Sequence, residues 1–392
     1  MMIKRSIEDS LRAAAQKYPT LAILGPRQSG KTTVAQQVFP HHKYLSFEDI
    51  LDIQEYVKRD PKGFLEEHAN PHGLILDEFQ HAPIILSYIQ LAVDKDYKPG
   101  YFILTSSQNF LMNEAISQTL AGRIALFTLL PLSVQELVNA SLLPETVETV
   151  IHQGMYPRIY AQNFAASWYQ NYIRTYLECD VRQLKNIADL SLFQTFIRLC
   201  AGRIGQILNV ASLANDCGIT QVTANSWLTL LQVSYLVFLL QPHHKNFSKR
   251  LVKSPKIYFY DTGIACALLG IESAEEIYSH YLRGGLMENF VLTEILKQYY
   301  NHDRQPRVYF WRDKTEREVD FVLERGPELV PIEVKAGKTV SSDYFNNLNY
   351  WCTLAEVDPA KAFVVYAGKE GQKRSSGVVL GWQDVAEIFK AR

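Results

Sequence analysis

Apolar residues in this chain fall first into short unbroken runs and later into alternating ones. Leu21-Ala22-Ile23-Leu24, Leu74-Ile75-Leu76, Tyr101-Phe102-Ile103-Leu104 and Ile124-Ala125-Leu126-Phe127 are continuous, as strands covered on both faces of a parallel sheet are. They predict strands at 20–24, 44–47, 73–76, 101–105 and 124–129, with helical patterns between them, and so a βαβ array. Ile3 to Tyr18 predicts a helix over one edge of that sheet. Beyond Pro131-Leu132 the pattern turns helical and irregular. It starts at Ser133-Val134-Gln135-Glu136, which has the spacing of a capping box. Trp168 to Cys179 predicts a helix whose aromatic stripe (Trp168, Tyr169, Tyr172, Tyr176) is expected to pack inward.

Val210–Asp216 and Thr220–Gln232 predict two helices joined by Cys217-Gly218-Ile219, with Thr220 as N-cap. That is a helix-turn-helix plan. Tyr235–Leu240 and Ile257–Tyr260 then predict a hairpin, which would complete a winged helix. After a helix from Leu286 to Tyr300, alternation at Arg317–Glu324 and Val330–Lys335 predicts two antiparallel strands joined by Arg325-Gly326-Pro327. Alternation puts Glu318 and Asp320 on one face of the first strand, and Glu333 and Lys335 on one face of the second. A helix at about 341–355 and a strand at Ala362–Tyr366 follow. The expected division is 1–132, 133–204, 205–278 and 279–392.

Chemistry enters where the first strand ends. Gly25-Pro26-Arg27-Gln28-Ser29-Gly30-Lys31-Thr32 follows it directly and has the form G-x-x-x-x-G-K-[ST], a phosphate-cradling P-loop when strand and helix flank it. Gly25 and Gly30 let the backbone amides curl toward phosphate oxygens. Lys31 would reach the outer phosphates and Thr32 would ligate Mg²⁺, with Thr33 opening the next helix. Asp77, at the end of Leu74-Ile75-Leu76, is the candidate second Mg²⁺ holder, and Glu78 the candidate for polarising the attacking water. Ser106-Ser107-Gln108-Asn109 ends the next run, where Ser107 could touch the γ-phosphate. Arg123 could sense phosphate in its own chain or in a neighbour.

These stretches resemble AAA-type ATPases. More narrowly, the chain resembles a bacterial and archaeal P-loop ATPase family that pairs such a domain with a C-terminal domain of uncertain function. The likeness extends to Leu120-Ala121-Gly122-Arg123, Leu130-Pro131-Leu132-Ser133, Gly154-Met155-Tyr156-Pro157, Tyr260-Asp261-Thr262-Gly263, Glu318-Val319-Asp320-Phe321 and Ile332-Glu333-Val334-Lys335. Ser106 departs from it, standing where Gly is expected. The resemblance implies an α/β fold: an AAA-type parallel-sheet domain, a helical and winged-helix middle and a C-terminal nuclease-like domain. It implies ATP and Mg²⁺ as cofactors, and assembly with further copies of itself.

The C-terminal strand pair resembles the PD-(D/E)xK nuclease core. Carried over, Asp320 and Glu333 would hold a divalent metal, with Glu288 as the carboxylate of the preceding helix, and Lys335 would be the catalytic lysine. Two functions stay open: an ATP-controlled nuclease, or a remodelling ATPase whose rear domain only binds nucleic acid or protein.

Composition narrows the partners. At 392 residues, two or three domains are expected. The 40 Lys+Arg against 41 Asp+Glu leave no global basic excess, so any nucleic-acid contact must be local. The most basic segment is 243–256, with Lys245, Lys249, Arg250, Lys253 and Lys256 and no acid. The 5 cysteines lie far apart, a reduced cytoplasmic pattern without a disulfide framework. The opening Met-Met-Ile-Lys-Arg-Ser lacks a signal-peptide core. The longest apolar run, Tyr235–Leu240, is too short for a bilayer, so no membrane partner is expected.

Overall fold

The unbroken apolar runs become the strands of a five-stranded sheet of order β2-β3-β4-β1-β5, parallel throughout. This is seen in a computed structural model that describes residues 3–107, 119–162, 168–175, 189–243 and 253–390. The strands are β1 (Thr20–Leu24), β2 (Lys43–Ser46), β3 (Leu74–Asp77), β4 (Phe102–Ser106) and β5 (Ile124–Thr128). They belong to one compact unit, Met1–Leu132 with Val233–Tyr235 and Tyr299–Arg304. Leu21, Ile23, Ile75, Ile103 and Phe127 pack with Val34 and Ala35 of the helix Lys31–Val38, with Leu11 of the helix Glu8–Ala15 and with its N-cap Ile7. The first helix is shorter than its pattern predicts. The amides of Lys17 and Tyr18 fold back onto the Ala14 carbonyl, and Pro19 disfavours helical geometry in the residue before it.

Because β4 inserts between β1 and β3, the carboxyl ends of three strands stand side by side. Leu24 lies opposite Ser106 across one pair, and Leu76 opposite Leu104 across the other. Gly25, Asp77 and Ser107 therefore emerge along one edge of the sheet, where open α/β sheets bind ligands.

The second unit holds Ser133–Gln232, Leu236–Gln298 and Gln305–Arg392. Its capping box forms: Glu136 N–H donates to Ser133 Oγ at 3.3 Å and Ser133 N–H to Glu136 Oε2 at 2.8 Å. Helices Val147–Gln153, Pro157–Gln162 and Leu190–Ala201 follow. Asp180, Arg182 and the end of the aromatic helix lie outside the described residues; Tyr169 and Tyr172 are buried, as a packing stripe requires. Val210–Cys217 and Gln221–Val233 are helices meeting at Gly218, whose φ of 72° ends the first, and Thr220 Oγ1 accepts Thr223 N–H at 3.1 Å. β6 (Val237–Leu240) and β7 (Lys256–Phe259) pair antiparallel.

A mixed six-stranded sheet closes this unit, in the order β12-β13-β11-β10-β9-β8. It comprises β8 (Val308–Arg312), β9 (Glu318–Arg325), β10 (Glu328–Lys335), β11 (Phe363–Tyr366), β12 (Gln372–Arg374) and β13 (Gly377–Gly381). β9 and β10 are the expected hairpin, and β10 and β11 run parallel. The helix expected at 341–355 is a 3₁₀ turn, Ser342–Phe345, continuing into Asn346–Ala355. Its Leu348, Trp351 and Cys352 pack with Val319, Val322, Val364 and Val379.

Candidate nucleotide site and a buried carboxylate cluster

The loop after β1 can take its shape only with glycine at its base. Gly25 has φ of 149°, and a Cβ there would stand 2.2 Å from the Leu129 carbonyl oxygen. Gly30, with φ of 95°, is the N-cap of the helix Lys31–Val38. Pro26, Arg27, Gln28 and Ser29 form the arch between, and Gln28 also adopts a left-handed φ of 61°. Lys31 lies beneath the arch, 4% exposed. Its Nζ donates to the carbonyls of Gly25 at 3.1 Å and Pro26 at 3.0 Å, and lies 3.8 Å from Glu78 Oε1. Thr33 is exposed on the helix's first turn.

Asp77 is held by hydroxyls. Thr32 Oγ1 donates to Asp77 Oδ1 at 2.8 Å, Thr105 Oγ1 donates to the same oxygen, and Tyr44 OH donates to Oδ2 at 2.8 Å. Partial burial and the Asp77 carboxylate push the Tyr44 phenol up to about 12, which keeps it a donor. A hydroxyl and a carboxylate side by side are hard oxygen ligands, so Thr32 and Asp77 fit a Mg²⁺ ion. Glu78 sits in the left-handed region, φ 52°, which turns its side chain back toward the loop. Ser107 Oγ and N–H donate to Glu78 Oε2 at 2.8 and 3.3 Å, and Gln80 Nε2 donates to it too. Burial works to raise the Glu78 pKa. The Lys31 charge, the bonds from Gln80 and Ser107 and the Arg27 charge outweigh it and hold the carboxyl below its ordinary value.

Arg123 requires a correction. It precedes the first residue of β5, and Ile124 lies opposite Thr20, the first residue of β1. It is therefore at the amino edge of the sheet, roughly 16 Å from the P-loop edge at ~3.3 Å per residue. Its Nε pairs with Asp94 at 2.5 Å. Arg123 cannot reach a phosphate held by its own chain. Gln108 and Asn109 lie outside the described residues. Sequence reasoning missed Arg5: its guanidinium, 4% exposed, donates to the carbonyls of Ser29 and Leu130, both at 2.7 Å. It ties the P-loop to the chain leaving β5. No local motif announces it, since its partners lie 24 and 125 residues away.

In the second unit, Asp320, Glu333, Lys335 and Glu288 do come near one another. The β9–β10 ladder runs to Phe321 opposite Ile332, and the Asp320 carboxylate takes the Val334 N–H at 2.7 Å. Lys335 Nζ pairs with Glu333 Oε1 at 2.6 Å, while buried Glu333 Oε2 has no partner. Burial and then the neighbouring Glu333 and Glu288 charges raise Asp320 well above its ordinary value. Burial, against the pull of Lys335, raises Glu333 to about 7. The cluster also holds a lysine that its sequence position disguised. Lys256, 2% exposed at the start of β7, pairs with Glu288 Oε2 at 3.3 Å and with Glu318. Tyr258 OH donates to the same Glu288 oxygen at 2.8 Å.

Two expectations change accordingly. Glu288 is held by Lys256 and Tyr258 and does not join Asp320 and Glu333 as a third free ligand. Among the described residues, no three of His, Cys, Asp and Glu are arranged to hold a metal ion. With Lys256 in place, the cluster does not fit a divalent cation. Nor is 243–256 uniformly a solvated basic loop. Lys256 is internal, and buried His243 bonds Glu324 at 3.1 Å. Lys253 is exposed, while Lys245, Lys249 and Arg250 lie outside the described residues.

A family model described as an AAA domain matches residues 17–138. Two models described only as domains of unknown function, DUF8612 and DUF4143, match 144–275 and 283–385. The chain is 27% identical over 379 residues to the uncharacterized protein Rv2008c of Mycobacterium tuberculosis, covering 96% of this chain and 82% of that one. Uncharacterized protein Mb2031c of Mycobacterium bovis matches equally. Among solved structures, the Walker-type ATPase PABY2304 of Pyrococcus abyssi overlaps with a TM-score of 0.43 at 14% identity, covering 68% of this chain and 96% of that one. A signal-transduction ATPase with a tetratricopeptide repeat sensor, PH0952 of Pyrococcus horikoshii, overlaps with a TM-score of 0.25 at 14% identity, covering 77% and 47%. The fold is α/β: a first unit with a parallel five-stranded sheet and a P-loop, over which the AAA-domain model matches, followed by a helical region and a mixed-sheet domain. Among the described residues, no helix is long and apolar enough to cross a membrane.

Proposed function

We propose that the first unit binds ATP with Mg²⁺ and hydrolyses it. Lys31 and the loop amides would hold the β- and γ-phosphates. The bound ion, held by Thr32 and Asp77, would supply charge neutralisation on those phosphates. Glu78 would orient and deprotonate the attacking water, and Ser107, already bonded to it, would meet the γ-phosphate. The observation that carries this reading is the buried meeting of Lys31 and Glu78 at 3.8 Å beside the Thr32–Asp77 pair. A phosphate-binding cation, a water-activating carboxylate and a metal seat then share one edge of the sheet. A role for Arg123 requires a second copy of the chain.

The test is calorimetry and turnover on the purified protein. Lys31→Ala should abolish ATP binding. Glu78→Gln should keep binding and slow hydrolysis by about 10²–10⁴-fold. Full turnover in Glu78→Gln would remove that residue from the base role.

For the second unit, we infer a binding role coupled to nucleotide state, because lysines internally neutralise its PD-(D/E)xK-like cluster. The helix pair and the β6–β7 hairpin fit a winged helix, and the basic residues of 243–256 other than Lys256 would contact phosphates. The competing reading is nucleic-acid cleavage by Asp320, Glu333 and Lys335, for which a metal would first have to displace Lys256; the buried Glu333 Oε2, which lacks a partner, is the oxygen that favours it. Cleavage that disappears in Asp320→Ala and Lys335→Ala while ATP hydrolysis survives would establish that reading. Its absence in the parent protein with Mg²⁺ or Mn²⁺ would leave the binding role.

A further inference from the structure

A lysine seldom lies fully buried, and when it does its charge is matched by carboxylates close at hand. Lys256 has two directly on it, Glu288 and Glu318, and Asp320 also acts on its charge. Glu318 is shared with Arg312 at 3.1 Å, and Glu333 is paired with Lys335. The side chain reaches this position from β7, whose hairpin pairing puts Lys256 opposite Leu240, with Ile207 bridging from the other side. Its ammonium is a compact point charge set among acidic oxygens, which is also the environment a divalent cation demands. The two cannot share the same carboxylates: each would lose its ligands to the other, and they would repel.

We propose that Lys256 is a built-in substitute for a divalent metal ion. It sits on Glu288 and Glu318, with Asp320 acting on its charge, at the centre of a cluster that Glu333 joins from β10, and keeps Mg²⁺ and Mn²⁺ out. The inference rests on the binding role given to the second unit and deepens it, by naming what holds that cluster in a metal-free form. Removing the charge while keeping the length of the side chain would uncover a divalent-cation site, with the unpartnered Glu333 Oε2 among its oxygens.

The experiment uses the full chain without nucleotide, in an Asp77→Asn background that disables the P-loop metal seat. Mn²⁺ is titrated by calorimetry and by its paramagnetic resonance signal. Lys256→Met should bind one Mn²⁺ per chain at least about tenfold more tightly than the parent, as loss of a close positive charge predicts. Glu333→Gln added to Lys256→Met should remove the gain. A folded Lys256→Met with no gain would overturn the proposal. So would Mn²⁺ binding by the parent that Glu333→Gln abolishes. Should Lys256→Met be too unstable for calorimetry, Mn²⁺ should raise its melting temperature and leave the parent's unchanged; equal shifts would overturn the proposal. The readout is metal uptake, so its failure is separate from failure of the binding role, which cleavage decides.

Discussion

Lys31 and Lys256 are buried almost equally, 4% and 2% exposed, and are accommodated in opposite ways. Lys31 lies against two backbone carbonyls, with a Glu78 carboxylate oxygen at 3.8 Å. Lys256 is in direct contact with two carboxylates. The acids differ to match. Asp77 is held by three hydroxyls, which a metal can displace without leaving a charge behind. Glu288 is held by an ammonium, which a metal would have to expel. On the proposed reading, similar side chains would make an open site in one unit and a closed one in the other, and the partner's charge would decide which.

The sharpest way to break that comparison is to remove the corresponding cation on each side. Lys31→Ala should eliminate nucleotide binding with little change in melting temperature. Lys256→Ala should leave nucleotide binding intact and destabilise the fold by about 3–5 kcal/mol, because Glu288 and Glu318 lose their buried partner. Calorimetry and thermal melts on both variants would show the contrast; the same profile from both would erase it. Next in size is Arg5→Met. It removes two charge-assisted bonds to the loop and its exit strand, and should weaken ATP binding by about 1.5–3 kcal/mol, read as a rise in Kd. An unchanged Kd would make Arg5 an ordinary packing residue. The smallest effect belongs to Tyr44→Phe. Asp77 loses one of its three donors, so the Mg²⁺ concentration needed for half-maximal turnover should shift a few-fold, while Mg²⁺-free nucleotide binding holds steady.

Much of the first site was legible in the sequence because its parts are local. A P-loop needs a strand, two glycines, a lysine and a threonine in one stretch, and Asp77-Glu78 needs only an apolar strand before it. Ser133–Glu136 and Thr220 were equally readable, since a cap is a relation between residues three apart. What the pattern could not convey depends on distance along the chain. Arg5 acquires its role from two carbonyls in other segments. Lys256 reads as one more cation in a basic run until hairpin pairing carries it inside. Arg123 was a candidate for sensing phosphate, yet the parallel direction of β5 sets it on the edge far from its own P-loop. Glu288 shares a cluster with Asp320 and Glu333, but its partner was the unforeseen lysine.

β4 ends with Thr105 bonded to Asp77 and, two residues on, Ser107 bonded to Glu78. A single strand terminus is thus yoked to Asp77 and Glu78 at once, the two acids to which the proposed function gives the metal and the attacking water. Any displacement there, whether from a departing phosphate or from a substitution, moves both acids in concert. Under the proposed function, loading of the ion and cutting of the phosphoanhydride would be ganged to one lever and would not drift apart independently.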